Sequence, residues 1–104
     1  MTDNWHTIIA LSEIESKDVT QVNHDKLTLA VYDTDDGVFV SDARCTHAGA
    51  NLCDGYFDGK NIECPLHQGL FDAQTGLAKA APATRALKMY KSRIHHGEVQ
   101  ITLP

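Results

Sequence analysis

The sequence predicts an all-β fold, a sandwich or barrel of short antiparallel strands. Three observations carry that prediction. Apolar and polar residues alternate with period two over short stretches, turn-forming residues separate those stretches at regular intervals, and no convincing helix of ten or more residues is visible. At 104 residues the chain has the length of one domain, 1–104, and it can bury enough surface to hold a core without staples.

The elements follow in order. Trp5–Ala10 is the first strand, and Leu11–Ile14 a helical turn that Ser12 could cap with Glu15 three residues on. Val19–Val22 and Leu27–Tyr32 flank Asn23-His24-Asp25-Lys26, a hairpin turn. Leu27, Leu29 and Val31 alternate with Thr28, Ala30 and Tyr32, the pattern of a half-buried strand. Asp33-Thr34-Asp35-Asp36-Gly37 has turn chemistry, and Gly37 opens a strand at Val38–Ser41. Tyr56–Phe57 and Asn61–Glu63 surround Asp58-Gly59, a strong hairpin signal. Ala78–Ala83 contains Pro82 and reads as a loop. Ala86–Ile94 and Val99–Leu103 form the last hairpin, around His95-His96-Gly97-Glu98.

Composition narrows the function. Apolar residues at 42% with 22% charged are globular values and argue against disorder. A net charge of −5 argues against a nucleic-acid partner, since phosphate binding needs a basic footprint. No apolar run reaches membrane-spanning length, and the first residues have no basic and apolar leader, so the expected address is the cytoplasm. Nucleotide-loop and nucleophile-elbow motifs are absent, and no acid–base pair stands out, so an enzyme with its own substrate site is not expected. Three cysteines are an odd count, which favours metal or catalytic roles over a disulfide framework.

The chemistry concentrates in two loops, Cys45-Thr46-His47 and Cys64-Pro65-Leu66-His67, with sixteen residues between His47 and Cys64. Each offers one thiolate and one imidazole. The hairpin between them can bring the two pairs together, and Gly49, Pro65 and Gly69 let the backbone approach closely. Two Cys and two His suit either a tetrahedral zinc or a Rieske [2Fe–2S] cluster, in which two Cys hold one iron and two His the other. Common zinc fingers pair like with like, whereas each loop here mixes the two ligand types, which favours the cluster. Neutral imidazoles leave such a cluster less negative than four thiolates would, which raises its potential above that of plant-type ferredoxins. Cys53 is then a spare thiol, His95 and His96 turn residues, Trp5 a packing residue, and His6 and His24 surface histidines.

These loops, with the run Ile62-Glu63-Cys64-Pro65-Leu66-His67-Gln68-Gly69 followed by Phe71-Asp72 and Thr75-Gly76, resemble the small Rieske ferredoxins of bacterial aromatic ring-hydroxylating dioxygenase systems, of the naphthalene and biphenyl dioxygenase type. The resemblance implies a Rieske fold: three antiparallel sheets, with a small cluster-binding subdomain near residues 42–82 inserted in a basal sandwich or barrel. It implies that Cys45 and Cys64 bind the inner iron, and His47 and His67 the outer iron near the tip. Ala80-Ala81-Pro82-Ala83 resembles the proline-containing loop that shields the cluster in that family. The implied role is a one-electron carrier, taking electrons from a flavin-containing NAD(P)H ferredoxin reductase to a terminal Rieske non-haem iron oxygenase in aromatic hydrocarbon catabolism. The rival readings are a Rieske small subunit held in a stable oxidoreductase complex and a structural zinc-binding module.

High-potential Rieske proteins of cytochrome bc complexes add a disulfide between the loops and hydroxyl donors after the second His. The corresponding residues here are Ala50 and Leu66, and Gly69 and Phe71. Without those hydrogen bonds the expected potential falls at the low end of the Rieske range, roughly −150 mV. Residues 1–60 hold eleven acids and four bases, against three and five in 61–104. Asp33, Asp35 and Asp36 are most simply a solvated turn, but this acidic excess also suggests basic docking patches on the partners and a salt-sensitive encounter.

Overall fold

A computed structural model describes residues 4–46, 49–66, 68–81, 83 and 85–103. Eleven strands lie among these residues: β1 (Trp5–Ala10), β2 (Val19–His24), β3 (Leu27–Thr34), β4 (Gly37–Asp42), β5 (Tyr56–Phe57), β6 (Asn61–Glu63), β7 (Leu70–Asp72), β8 (Ala78–Ala80), β9 (Met89–Tyr90), β10 (Ser92–His95) and β11 (Glu98–Thr102). They form three sheets, ordered β1-β11-β10, β2-β3-β4-β9 and β5-β6-β7-β8. Every pairing is antiparallel. No helix among the described residues is long and apolar enough to cross a membrane.

The middle sheet organises the molecule, and β3 is its centre. The alternation along this strand predicts burial on one face only. Instead both faces are covered. Leu29 and Val31 belong to a core shared with Val22, Val40, Val99 and Ile101, beneath the β1-β11-β10 sheet. Ala30 and Tyr32 belong to a second core with Leu52, Phe57, Ile62 and Phe71, beneath the β5–β8 sheet. Ala30 and Tyr32 could be taken for an outer face because one is small and the other amphipathic. A third layer covers them, and the Tyr32 hydroxyl pairs with Ser41 Oγ at 2.8 Å. Burial drives the Tyr32 phenol upward, so it stays protonated. Each large apolar side chain in these cores contributes about 1.5–3 kcal/mol.

Several local predictions change. The turn after β1 is a 3₁₀ turn, Leu11–Glu13, and its cap residue is Ala10 with no side-chain bond. Ser12 therefore lies inside the turn, and the Leu11 N–H is satisfied instead by Gly97 O at 2.8 Å. Ala78–Ala80 is a strand, because register with Leu70 and Phe71 overrides low intrinsic propensity. Pro82 lies outside the described residues. Ala86–Lys88 is not strand, and Lys91 separates β9 from β10, since the two strands join different sheets. The β2–β3 turn contracts to Asp25-Lys26, with Asp25 at φ +53°. His6 and His24 are half-buried and meet edge-on, with ring centroids 6.0 Å apart.

Candidate metal centre

Cys45 follows the end of β4, and Cys64 follows the end of β6. The two loops they open are built alike. The Cys45 N–H donates to Ala50 O at 2.8 Å, and the Cys64 N–H donates to Gly69 O at 2.7 Å, five residues on in each case. Each cysteine thus closes a short hydrogen-bonded loop. In the first, Gly49 at φ +69° returns its N–H to Cys45 O at 2.9 Å. In the second, Gln68 takes the left-handed conformation, φ +58°. His47 and His67 are at the crests in sequence and lie outside the described residues.

The first loop is anchored at its base by Leu52 N–H to Ala43 O, 2.7 Å, and by a bridge between Arg44 and Asn51. Gly55 packs directly against the residue before Cys64, so close that a Cβ there would lie 1.9 Å from Glu63 O. The Thr46 hydroxyl donates to Arg85 O at 2.8 Å. That bond ties the first loop to the 83–88 segment, whose Ala83 and Leu87 enter the same core as Cys45 and Cys64.

Both cysteine sulfurs are enclosed, with Cys45 1% and Cys64 0% exposed. Neither is in a disulfide, and Cys64 shares a hydrogen bond with Cys45. Burial first, and that shared bond second, push the Cys64 thiol up to about 11. Two soft donors therefore converge on one point inside a protein wall, which suits the thiolate half of an iron–sulfur site. The residues present fit a [2Fe–2S] cluster.

Cys53 bonds elsewhere. It lies in the 3₁₀ turn Leu52–Asp54, half-buried, and its S–H donates to Leu29 O at 3.9 Å. Burial first, and the neighbouring Asp54 carboxylate second, raise its pKa to about 11. Cys53→Ser is therefore expected to leave the visible spectrum unchanged and to cost no more than about 1 kcal/mol, checked by absorbance and thermal melting. Bleaching would place Cys53 among the ligands. His95, which ends β10, and the turn residue His96 stack at 4.0 Å in an exposed position, and Trp5 lies under Arg93 at 4.3 Å. Thr46 is the residue that sequence reasoning missed. Its position between Cys45 and His47 was visible, but its partner lies 39 positions away.

Three antiparallel sheets with paired cysteine-led loops define an iron–sulfur protein of the Rieske class. The chain belongs to the Rieske [2Fe-2S] domain family, whose model matches residues 4–91. It is 43% identical over 103 residues to the ferredoxin component of the naphthalene 1,2-dioxygenase system of Pseudomonas putida, covering 99% of each chain. Among solved structures it resembles the Sphingomonas yanoikuyae B1 ferredoxin, with a TM-score of 0.90 and 42% identity over 97% of this chain and 100% of that one. It also resembles a chain in the complex of reduced oxygenase and oxidized ferredoxin in carbazole 1,9a-dioxygenase, with a TM-score of 0.87, 32% identity, and coverage of 97% and 94%.

Proposed function

We propose that this protein is the ferredoxin component of an aromatic ring-hydroxylating dioxygenase system. It is an electron carrier and not the oxygenase, as its relatives are ferredoxin components of such systems. It receives electrons from a flavin-containing NAD(P)H reductase and delivers them to a terminal Rieske non-haem iron oxygenase, in the cytoplasm. Residues 1–104 act as one domain, with the cluster held by the part near 42–82. Cys45 and Cys64 hold one iron, His47 and His67 the other. A [2Fe–2S] cluster supplies reversible uptake of one electron per chain.

The observation that carries this reading is the convergence of two enclosed thiols from two loops closed by matching five-residue hydrogen bonds. The Cys pair is sealed in protein while Leu66, beside His67 in sequence, is 50% exposed. That gradient favours electron exit on the histidine side. Gly69 and Phe71 bring no side-chain hydroxyl to the second loop, which supports a potential near the low end of the Rieske range, roughly −150 mV.

The test is spectroscopic. The purified protein is expected to be brown, with two irons and two sulfides per chain, and its reduced EPR spectrum to show coupling to imidazole nitrogen. His67→Cys should weaken that nitrogen coupling and lower the potential toward plant-type values, by on the order of 100 mV or more, or lose the cluster. A colourless protein with one zinc per chain would overturn the reading. So would unchanged nitrogen coupling in His67→Cys.

A further inference from the structure

We propose that Thr46 is a positioning residue for the metal centre, and that it acts by fastening the first cysteine-led loop to a hydrogen-bonded strap, residues 85–88, which also grips the strand leaving the second loop. The proposal rests on the carrier reading above and deepens it. The two loops carry different devices next to the cysteine. In the second, Pro65 follows Cys64 and its ring fixes φ, while the Leu66 N–H bonds back to the Cys64 sulfur. That loop is held from within. In the first, Thr46 follows Cys45 and has no ring to fix its backbone. No disulfide joins the two loops.

The Thr46 hydroxyl instead reaches Arg85 O at 2.8 Å, 39 positions along the chain. What holds Arg85 gives that bond its reach. Leu87 is 5% exposed and donates its N–H to Gly76 O at 2.8 Å. Gly76 donates in turn to Asp72 O at 2.7 Å. A Cβ on Gly76 would meet Leu87 O at 2.8 Å, so the two backbones are in contact. Asp72 ends β7, the strand that leaves the second loop at Leu70. At the other end of the strap, Lys88 O accepts the Asp42 N–H at 2.9 Å, where β4 ends and the first loop begins. The strap is therefore fixed to the base of one loop and to the strand beyond the other. Thr46 adds the part of the first loop that lies between Cys45 and His47.

The same bond borders an opening. Cys45, Thr46, Gly49 and Arg85 line a shallow concavity of about 260 Å³, with Asp42 and Arg44. Cys45 lines this concavity and is nevertheless only 1% exposed. The Thr46–Arg85 bond keeps the loop against the strap, so the Cys45 sulfur stays covered on its open side. An exposed hydroxyl–carbonyl bond adds little to folding, because water competes for both groups. A bond that fixes a metal ligand from outside the ligand set does more, since losing it typically costs about 10–100-fold in metal affinity or activity. Loss of the Thr46 hydroxyl is therefore expected to loosen the metal centre while the fold stays intact.

Chelator challenge of the holoprotein tests this, with excess ethylenediaminetetraacetate as the probe and visible absorbance as the readout. Thr46→Val removes the hydroxyl and keeps the side-chain shape, and Thr46→Ser keeps the hydroxyl. Thr46→Val is expected to lose its cluster at least about tenfold faster than wild type, and Thr46→Ser to stay within about threefold of wild type. The metal-free form of Thr46→Val should melt within about 3 °C of metal-free wild type, which a purely structural role would not allow. A Thr46→Val that loses its cluster at the wild-type rate, or a Thr46→Ser that loses it as fast as Thr46→Val, would overturn the proposal. So would a metal-free Thr46→Val that melts far below wild type, which would make Thr46 a folding residue. A wild-type protein that is colourless and carries zinc would remove the carrier reading, and the proposal with it.

Discussion

Gly55→Ala is expected to cost about 3 kcal/mol or more, an unusually large penalty for one methyl group. The added Cβ would lie 1.9 Å from Glu63 O, 3.1 Å from its carbonyl carbon and 3.2 Å from Leu52 O. All three contacts are backbone atoms, so no side chain can rotate aside. Glu63 is also held on both sides, by pairing with Tyr56 and with Leu70. Relief therefore requires separating the Leu52–Asp54 turn from β6, and Cys64 is the next residue along. For a chain of this size, 3 kcal/mol corresponds to a melting temperature lower by about 12 °C or more. Gly59→Ala is the comparison. Its φ of +100° strains any side chain, but nothing lies within 4 Å of the new Cβ. That variant should lose only about 1–2 kcal/mol. Thermal melts of both check the ranking, and cluster content should fall in Gly55→Ala alone. A Gly55→Ala protein that melts within about 3 °C of wild type would show that the contact relaxes at little cost.

The sequence showed the hairpins and the two cysteine-led loops because their signals are local. Asp58-Gly59 marks its turn without reference to the rest of the chain, and the mixed Cys/His pairs mark their loops. What stayed hidden depends on layers. A half-buried pattern on β3 is the same whether its second face meets solvent or another sheet. Ala30 and Tyr32 became core only because β5–β8 folds over them. Ala78–Ala80 likewise has no strand signal of its own, and pairs because Leu70 and Phe71 are already fixed. The charge pattern was visible in the sequence only as a count. The first sixty residues are acidic on balance, yet Arg44 and Lys26 meet Asp42 in one concavity while Asp35 and Asp36 meet Lys60 in another. A hairpin fold places neighbours in sequence at alternate ends, so sequence averages do not say which charges meet. The Thr46–Arg85 bond is hidden for a similar reason, since it joins two loops through a hydroxyl and a carbonyl of no special sequence character.

Cys64→Ser should abolish the visible absorption and lower carrier activity by at least about 100-fold, because a serine oxygen is a far poorer ligand for iron than a thiolate. The stability effect separates ligand loss from misfolding. Cys64 is fully enclosed, next to Ile62, Phe71 and Leu52 in one core. A serine hydroxyl there can still bond to Cys45, so the folding cost in the metal-free protein should stay near 1–2 kcal/mol. The holoprotein responds differently. A cluster that binds only the folded chain adds its binding free energy to folding, so holo wild type should melt well above its metal-free form. That added increment should vanish in Cys64→Ser, leaving one melting temperature with or without iron and sulfide, a few degrees below that of metal-free wild type. If reconstitution still raised the melting temperature of Cys64→Ser as much as it does in wild type, Cys64 would not be a ligand. A metal-free variant that failed to fold would mean that the Cys64 sulfur is needed for packing. Cys45→Ser then supplies the same comparison from the first loop, where Cys45 is 1% exposed and its backbone is fixed by Ala50 and Gly49.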